Sequence, residues 1–411
     1  MRLNLRLVSL VIFTIFFLVA VLGGLLWANL NFVHSLPGGG DFYVLWRSGQ
    51  NFILKGSVPY QDLTRSLQEL VYGHGARPGE ELRRLDMPLY LLLFFVFFSP
   101  ILVIRDALLA RAVWMVLLEV ELAVLVFLAV GLLRWRPGRV YLSFLMLFGV
   151  FWAPGLLSVY TGSTIIFQAL MVFGAMRVLE IGADELAGAM LALAWFNLEA
   201  VGLLVLLLLF WTLSAGRLRV LAGFVMVTLT FAALSIFFNT NWVLPFASAV
   251  LDNWRSNPHP TTYSLFQGWL PAIGERLAQG LTLVVALMLI AEWRAVRGKE
   301  PRWLLWTAAL TAAATPLLGM PFVPVWLVLT FPALLLVLTT MEQRWGTFGR
   351  WSALALICAT FFGLWLAFRN NIGSVFVLLY PAGLIFLLYW VRWWAVRPPR
   401  LWADVISDMG K

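Results

Sequence analysis

Cysteine is almost missing from this 411-residue chain: there is one, Cys358, and it lies inside an apolar run. A lone thiol excludes an internal disulfide and any metal cluster built on cysteine. Charge is scarce as well. Asp, Glu, Lys and Arg make up 12% of the residues, about half the share of an ordinary soluble chain. His34, His74 and His259 stand far apart and show no metal-ligand spacing. Asp62, Glu69, Glu80, Glu81 and Asp86 form no paired-acid motif, so no metal is expected. Internal repeats are absent too, and no linker sets off a second folding unit. The chain therefore reads as one integral membrane domain, 1–411.

Apolar residues occupy the space that charge leaves. They make up 62% of the chain, and several runs reach the roughly 20 residues a helix needs to cross a bilayer. With 21 Trp and 32 Phe, there are many rings suited to headgroup depth. A net charge of +9 would point to nucleic acid in a soluble protein. Here the basic residues sit in short connections between apolar runs, which is how cytoplasmic loops are marked, and no nucleic-acid partner is expected. The fold class predicted is an all-α polytopic membrane protein of about 12 transmembrane helices.

Arg2 and Arg6 precede an apolar run, Leu7 to Leu30, longer than a signal-peptide core. It is expected to be a retained first span with the N-terminus in the cytoplasm. Residues 31–106 form a large external loop carrying interfacial helices. Within it, Met87 to Ile104 is apolar but broken at Ser99-Pro100, which favours a re-entrant segment over a span. Leaving that segment outside sends Arg134, Arg136, Arg139 and Arg177 to the cytoplasm and keeps Arg105 and Arg111 out, the better balance under the positive-inside rule. Leu186 to Ser214 reads as two half-spans meeting near Asn197, with Glu199 beside the break. Residues 239–275 form a second external loop. Arg294, Arg297, Lys299 and Arg302 mark a cytoplasmic connection, Arg344 and Arg350 another, and the C-terminus is expected to be cytoplasmic.

The stretch from Gly38 to Tyr60 concentrates the chemistry. Three glycines precede Asp41, after which Phe42, Leu45, Trp46, Gly49 and Ile53 recur at helical spacing. That pattern predicts a short amphipathic helix lying in a membrane surface. Asp41 at its start is either a base poised at the water–lipid boundary or a residue that caps free N–H groups. Arg47 is either a phosphate partner or a side chain snorkelling to headgroups. Arg255 and His259 in the second loop are further candidates for holding a phosphate. Glu119 and Glu121 lie inside a span, where a carboxylate needs a partner or a cavity. Two residues apart, they project about 200° from each other, so they do not share a site.

The run Asp41-Phe42, Trp46, Gly49, Gly56 and Pro59-Tyr60 resembles the opening signature of glycosyltransferase family 87, membrane enzymes of the C-type (GT-C) fold. Met87-Pro88-Leu89-Tyr90, Ser99-Pro100, Thr161-Gly162-Ser163 and Thr315-Pro316 are similar in placement to later elements of that family. The chain departs from it in keeping one proline of a Tyr-Pro-Pro element and in lacking Gln-x-Asn, Lys-x-x-Pro and a late histidine. The resemblance implies a hexosyltransferase that moves a sugar, most often mannose, from a polyprenyl-phosphate donor to an envelope lipid or glycan acceptor on the outer face of a bacterial plasma membrane. It implies Asp41 as the catalytic residue, Tyr60 as a residue of the same surface element, and no cofactor beyond the lipid-borne donor. By their place at membrane depth or in this loop, Tyr60, Glu119, Asn197 and Glu199 are the candidates for lining a cavity. An envelope-lipid transporter and a catalytically degenerate scaffold of the same fold are the alternatives.

Overall fold

The structure, a computed structural model, describes residues 5–74, 85, 90, 92–196, 198–256, 259–370 and 373–393. Helix accounts for 82% of it, with no strand among the described residues. In chain order the helices are α1 (Leu5–Ser35), α2 (Gly40–Lys55), α3 (Gln68–Tyr72), α4 (Leu92–Phe97), α5 (Ser99–Leu102) and α6 (Ala107–Leu132). Then follow α7 (Arg139–Phe151), α8 (Ala153–Thr161), α9 (Ile165–Glu180), α10 (Asp184–Ala194), α11 (Leu198–Ser214) and α12 (Leu218–Phe238). The rest are α13 (Val243–Ser256), α14 (Thr262–Trp269), α15 (Gly274–Val296), α16 (Pro301–Ala314), α17 (Phe331–Arg369) and α18 (Gly373–Val391).

Five helices are long and apolar enough to cross a membrane, or six if the pair α7–α8, bent by 46° at Trp152, counts as one. These are Ile12–Ser35, Ala107–Leu132, Leu218–Phe238, Gly274–Val296 and Pro324–Arg369. The sequence reading expected about twelve spans. Part of the difference is length, since Glu199–Ser214, Trp303–Leu318 and Leu378–Val391 are apolar but short. Another part is a merged segment. Pro324–Arg369 runs for 46 residues, about 69 Å if straight, against a hydrocarbon core of about 30 Å. Gly346 breaks it with φ 53° and ψ −123°, between Arg344 and Arg350, where a cytoplasmic connection was expected. The chain then turns back so closely that a Cβ on Gly349 would lie 2.0 Å from the Met341 carbonyl oxygen.

Two other breaks fall where the sequence placed them. The apolar stretch before Ile104 is divided into α4 and α5 at Phe98, with Pro100 in the first turn of α5. The run before Ser214 is divided between Ala194 and Leu198.

The chain forms two compact units. The first comprises Met1–Glu121, Leu157–Thr164 and Thr230–Ser256. Its centre is α2, packed on α4 and α5. The sequence pattern led us to expect one buried face. Instead α2 is enclosed on most sides, with Phe42, Tyr43, Val44, Leu45, Trp46, Ser48, Gly49, Gln50 and Phe52 all buried. One reason is the small residue that meets α5: a Cβ on Gly49 would lie 2.5 Å from Leu102 Cδ1, so α5 closes directly onto it. Trp46 Nε1 and Gln50 Nε2 both donate to the Ile104 carbonyl, at 3.0 and 3.1 Å, which ties α2 to the chain just after α5. In contrast, only 6% of the best window of α1 is buried, and Phe13, Phe16 and Phe17 are exposed; that is a face suited to lipid chains.

The second unit comprises Leu122–Leu156, Ile165–Leu229 and Asn257–Lys411. Its core is α9, α10, α11, α16 and the first part of α17. Helices α10 and α12 cross at glycines: a Cβ on Gly188 would meet the Val220 carbonyl oxygen at 2.1 Å, and one on Gly223 the Glu185 carbonyl oxygen at 2.4 Å. Several of its charged residues are tied down in pairs. Arg217 bonds Asp184 and donates to the Leu179 carbonyl at 3.0 Å. Arg392 pairs with Glu292 at 2.6 Å, and Trp135 and Arg350 both donate to Glu342.

Candidate functional site

The chain leaves α1 through Leu36-Pro37-Gly38-Gly39-Gly40 and enters α2 at once. Gly38 (φ 126°) and Gly39 (φ 77°) take up the left-handed backbone region that side chains rarely adopt. Gly39 occupies the N-capping position, has no side chain to offer, and its carbonyl accepts from Tyr43 N–H at 2.8 Å. Asp41 is therefore not the capping residue. It stands in the first turn of α2 and is exposed, at the end of a helix where the dipole favours a negative charge.

The other side of this turn is built by α6 and the end of α8. Arg111 is 1% exposed. Its Nη1 donates to the Leu36 carbonyl and its Nη2 to the Tyr160 carbonyl, each at 3.3 Å. Its Nε is buried without a hydrogen-bond partner. The guanidinium lies 5.7 Å from the ring centre of Tyr43 and 5.6 Å from that of Tyr160, the geometry of cation–π contact. Tyr160 closes the outside: its hydroxyl donates to the Pro37 carbonyl at 2.9 Å, and its ring fills the space a Gly38 side chain would need. One helical turn along α6, Trp114 Nε1 donates to the Gly162 carbonyl at 3.0 Å. Gly162 in turn presses against Phe42, where a Cβ would lie 2.3 Å from that of Phe42. The Tyr43 hydroxyl is buried with no well-formed hydrogen bond. Burial pushes its pKa up, against the lowering effect of Arg111, so the phenol stays neutral.

The remaining candidates are spread more widely. Arg47 is half-buried on α2. Six residues after Asp41, it points about 120° away around the helix, so the two do not share a face. Tyr60 is buried; its hydroxyl donates to the Tyr90 carbonyl at 2.7 Å and its ring packs on Phe246. Burial also raises the Tyr60 pKa, and the hydroxyl of Tyr90 in turn meets that of Thr164 at 2.8 Å. These residues line a wall of the first unit. Glu119 accepts from Asn29 Nδ2 through both oxygens, at 3.1 Å each, which ties α6 to α1. Glu121 is 9% exposed and its Oε2 has no partner. Arg255 is exposed at the end of α13 in the first unit, whereas His259 belongs to the second. Glu199 opens α11, also in the second unit. Asn197 lies outside the described residues. Among the described residues no three His, Cys, Asp or Glu side chains gather closely enough to hold a metal ion.

Sequence reasoning assigned Arg111 to the outer side of the membrane but gave it no role. The signal was there: it is a lone arginine near the start of an apolar helix, on the same face as Ala110, Trp114 and Leu118, all of which are buried. What a sequence does not reveal is that Gly39 admits the guanidinium, with its Nε 2.5 Å from where a Cβ would be.

The fold and this site define a class: an all-helical chain with several helices able to span a membrane, whose first unit presents an exposed carboxylate at a glycine-opened helix start beside a buried arginine. Comparison with protein-family models, with curated proteins and with solved structures finds no match for the chain.

Proposed function

We propose that the protein is a membrane glycosyltransferase of the C-type fold. It moves a sugar, mannose first among candidates, from a polyprenyl-phosphate donor to an envelope lipid or glycan acceptor at the outer face of a bacterial plasma membrane. The observation that carries the reading is Asp41: an exposed carboxylate in the first turn of a helix otherwise enclosed by its own unit. A helix held on most sides fixes the position of its first turn, and positioning is what a modest base needs to act on a hydroxyl.

In the reaction, Asp41 accepts the proton of the acceptor hydroxyl as that oxygen bonds the anomeric carbon of the sugar. The bond from that carbon to the phosphate oxygen breaks, and the polyprenyl phosphate leaves with the negative charge. The chain's own residues carry out this step with no metal. The test is transfer of radiolabelled sugar from polyprenyl-phosphate mannose, glucose or arabinose into an envelope lipid extract by purified protein in vesicles. Loss of a positioned base lowers such rates by about a hundredfold or more, so Asp41→Asn is expected to lose transfer to that extent at normal expression. Near-normal transfer by Asp41→Asn removes Asp41 from the role.

A second reading, an envelope-lipid transporter, is favoured by Glu121, a buried carboxyl with an oxygen that has no partner in a helix able to span the membrane. Lipid translocation by the purified protein without sugar transfer, abolished by Glu121→Gln, supports that reading over the first.

A further inference from the structure

We infer that Arg111, together with the glycine-opened start of α2, is a binding site for the phosphate group of a prenyl phosphate. Resting on the reading above, this is where the phosphate of the lipid donor is held, in place of the exposed Arg255 or the half-buried Arg47.

The argument starts from the charge. A guanidinium cannot lose its proton in a protein, so at 1% exposure Arg111 is a buried cation. Buried cations are costly unless matched by an anion and by hydrogen bonds. Among the described residues no carboxylate pairs with it. The acid closest in sequence, Asp106, is occupied in accepting from the N–H groups of Leu108 and Leu109. Of the five N–H donors of an arginine, two are used, both on neutral carbonyls at 3.3 Å, beyond the usual range for such bonds. The buried Nε makes no hydrogen bond, and the guanidinium otherwise meets only the Tyr43 and Tyr160 rings and the Tyr43 hydroxyl.

The second part of the argument is the backbone facing that nitrogen. Nε sits against Gly39, the residue at the head of α2. The first N–H groups of any helix have no partner within it, and a helix start with left-handed glycines before it is a cradle for phosphate oxygens. The buried Tyr43 hydroxyl, which makes no well-formed hydrogen bond and leans on the same guanidinium, is a further donor. A fork of guanidinium N–H groups, a run of amide N–H groups and a phenol make a donor set for a tetrahedral oxyanion with two or more oxygens, and a prenyl phosphate group fits it. Tyr160 covers the outer side of the site, half-buried and tied by one hydroxyl bond to the Pro37 carbonyl. Asp41 stands in that same first turn, so leaving group and base are held by one element.

The experiment measures binding of farnesyl phosphate, farnesol and inorganic phosphate to the full-length protein in detergent, by calorimetry. The wild type is expected to bind farnesyl phosphate about tenfold or more tightly than farnesol, a difference in keeping with charge-assisted bonds. Arg111→Met is expected to remove that difference and leave farnesol binding unchanged; Arg111→Lys, which keeps the charge without the fork, is expected to fall between. Equal affinities of the wild type for farnesyl phosphate and farnesol overturn the inference without any variant. So does an Arg111→Met protein of unchanged melting temperature that still prefers farnesyl phosphate. Inorganic phosphate competing as well as the lipid phosphate at equal concentration keeps the site and assigns it to free phosphate.

The outcome is separable from glycosyl transfer. Arg111-dependent phosphate binding without movement of labelled sugar leaves the site standing and removes the enzyme. Asp41-dependent sugar transfer that is untouched in Arg111→Met leaves the enzyme standing and removes the site.

Discussion

At the scale of single residues, a polar pair inside the apolar helices shows what such a group needs. Asn29 and Glu119 form such a pair, with one amide nitrogen donating to both carboxylate oxygens at 3.1 Å. A hydrogen bond of this kind is worth about 1 kcal/mol net, and its loss costs more when the remaining partner is charged and buried. Asn29→Ala is expected to lower stability by about 1 to 2 kcal/mol, measured by reversible unfolding in mixed detergent. The double change Asn29→Leu with Glu119→Leu is expected to recover most of the loss, because no polar group is then left unmatched. Equal stability of Asn29→Ala and wild type would mean that the bond contributes nothing. Arg111 obeys the same rule at a higher charge, and for this reason its surroundings were read as a site.

Glycine decides the close contacts at the scale of elements. The crossing of α10 and α12 brings backbone against backbone at Gly188 and Gly223, the small-residue contact on which helix pairs in a bilayer depend. A methyl on Gly188 would stand 2.1 Å from a carbonyl oxygen, and backbone cannot give way as a side-chain tip does. Gly188→Ala is expected to destabilise the second unit by about 1 to 3 kcal/mol, the usual cost of overpacking. Gly280→Ala makes a fair control, since nothing lies within 4 Å of its Cβ position. A melting temperature unchanged in Gly188→Ala would show that these helices do not meet as described. The same logic made α2 a buried helix. Its hydrophobic spacing was legible, but the enclosure of Ser48 and Gln50 was not, since those residue types read as an open polar flank until Gln50 is seen to bond the Ile104 carbonyl.

For the molecule as a whole, the arrangement of basic residues predicts an orientation. Residues 239–275 are expected outside, and the connection around Arg297 and Lys299 inside, with both termini in the cytoplasm. In a Cys358→Ser background, Thr240→Cys is expected to react with a membrane-impermeant maleimide in intact cells. Glu300→Cys is expected to react only after permeabilisation. The reverse pattern would invert the topology and turn Asp41 away from the outer face, removing the proposed reaction with it.

Composition alone determined that this is an all-helical chain with spans able to enter a membrane, because burying a backbone in lipid leaves few other solutions. Local chemistry determined several breaks: Pro100 ends one apolar stretch, Gly346 divides another, and the turn before Leu198 divides a third. These are effects of neighbours along the chain, and a sequence carries them directly. Tertiary structure decided the rest. It determined which apolar runs make helices long enough to cross, that α2 is enclosed, and that residue 111, remote in sequence from residues 36, 39 and 160, brings its guanidinium to the start of α2. Such a meeting depends on which side chains leave room for one another across long stretches of chain, and that is set only when the whole unit packs.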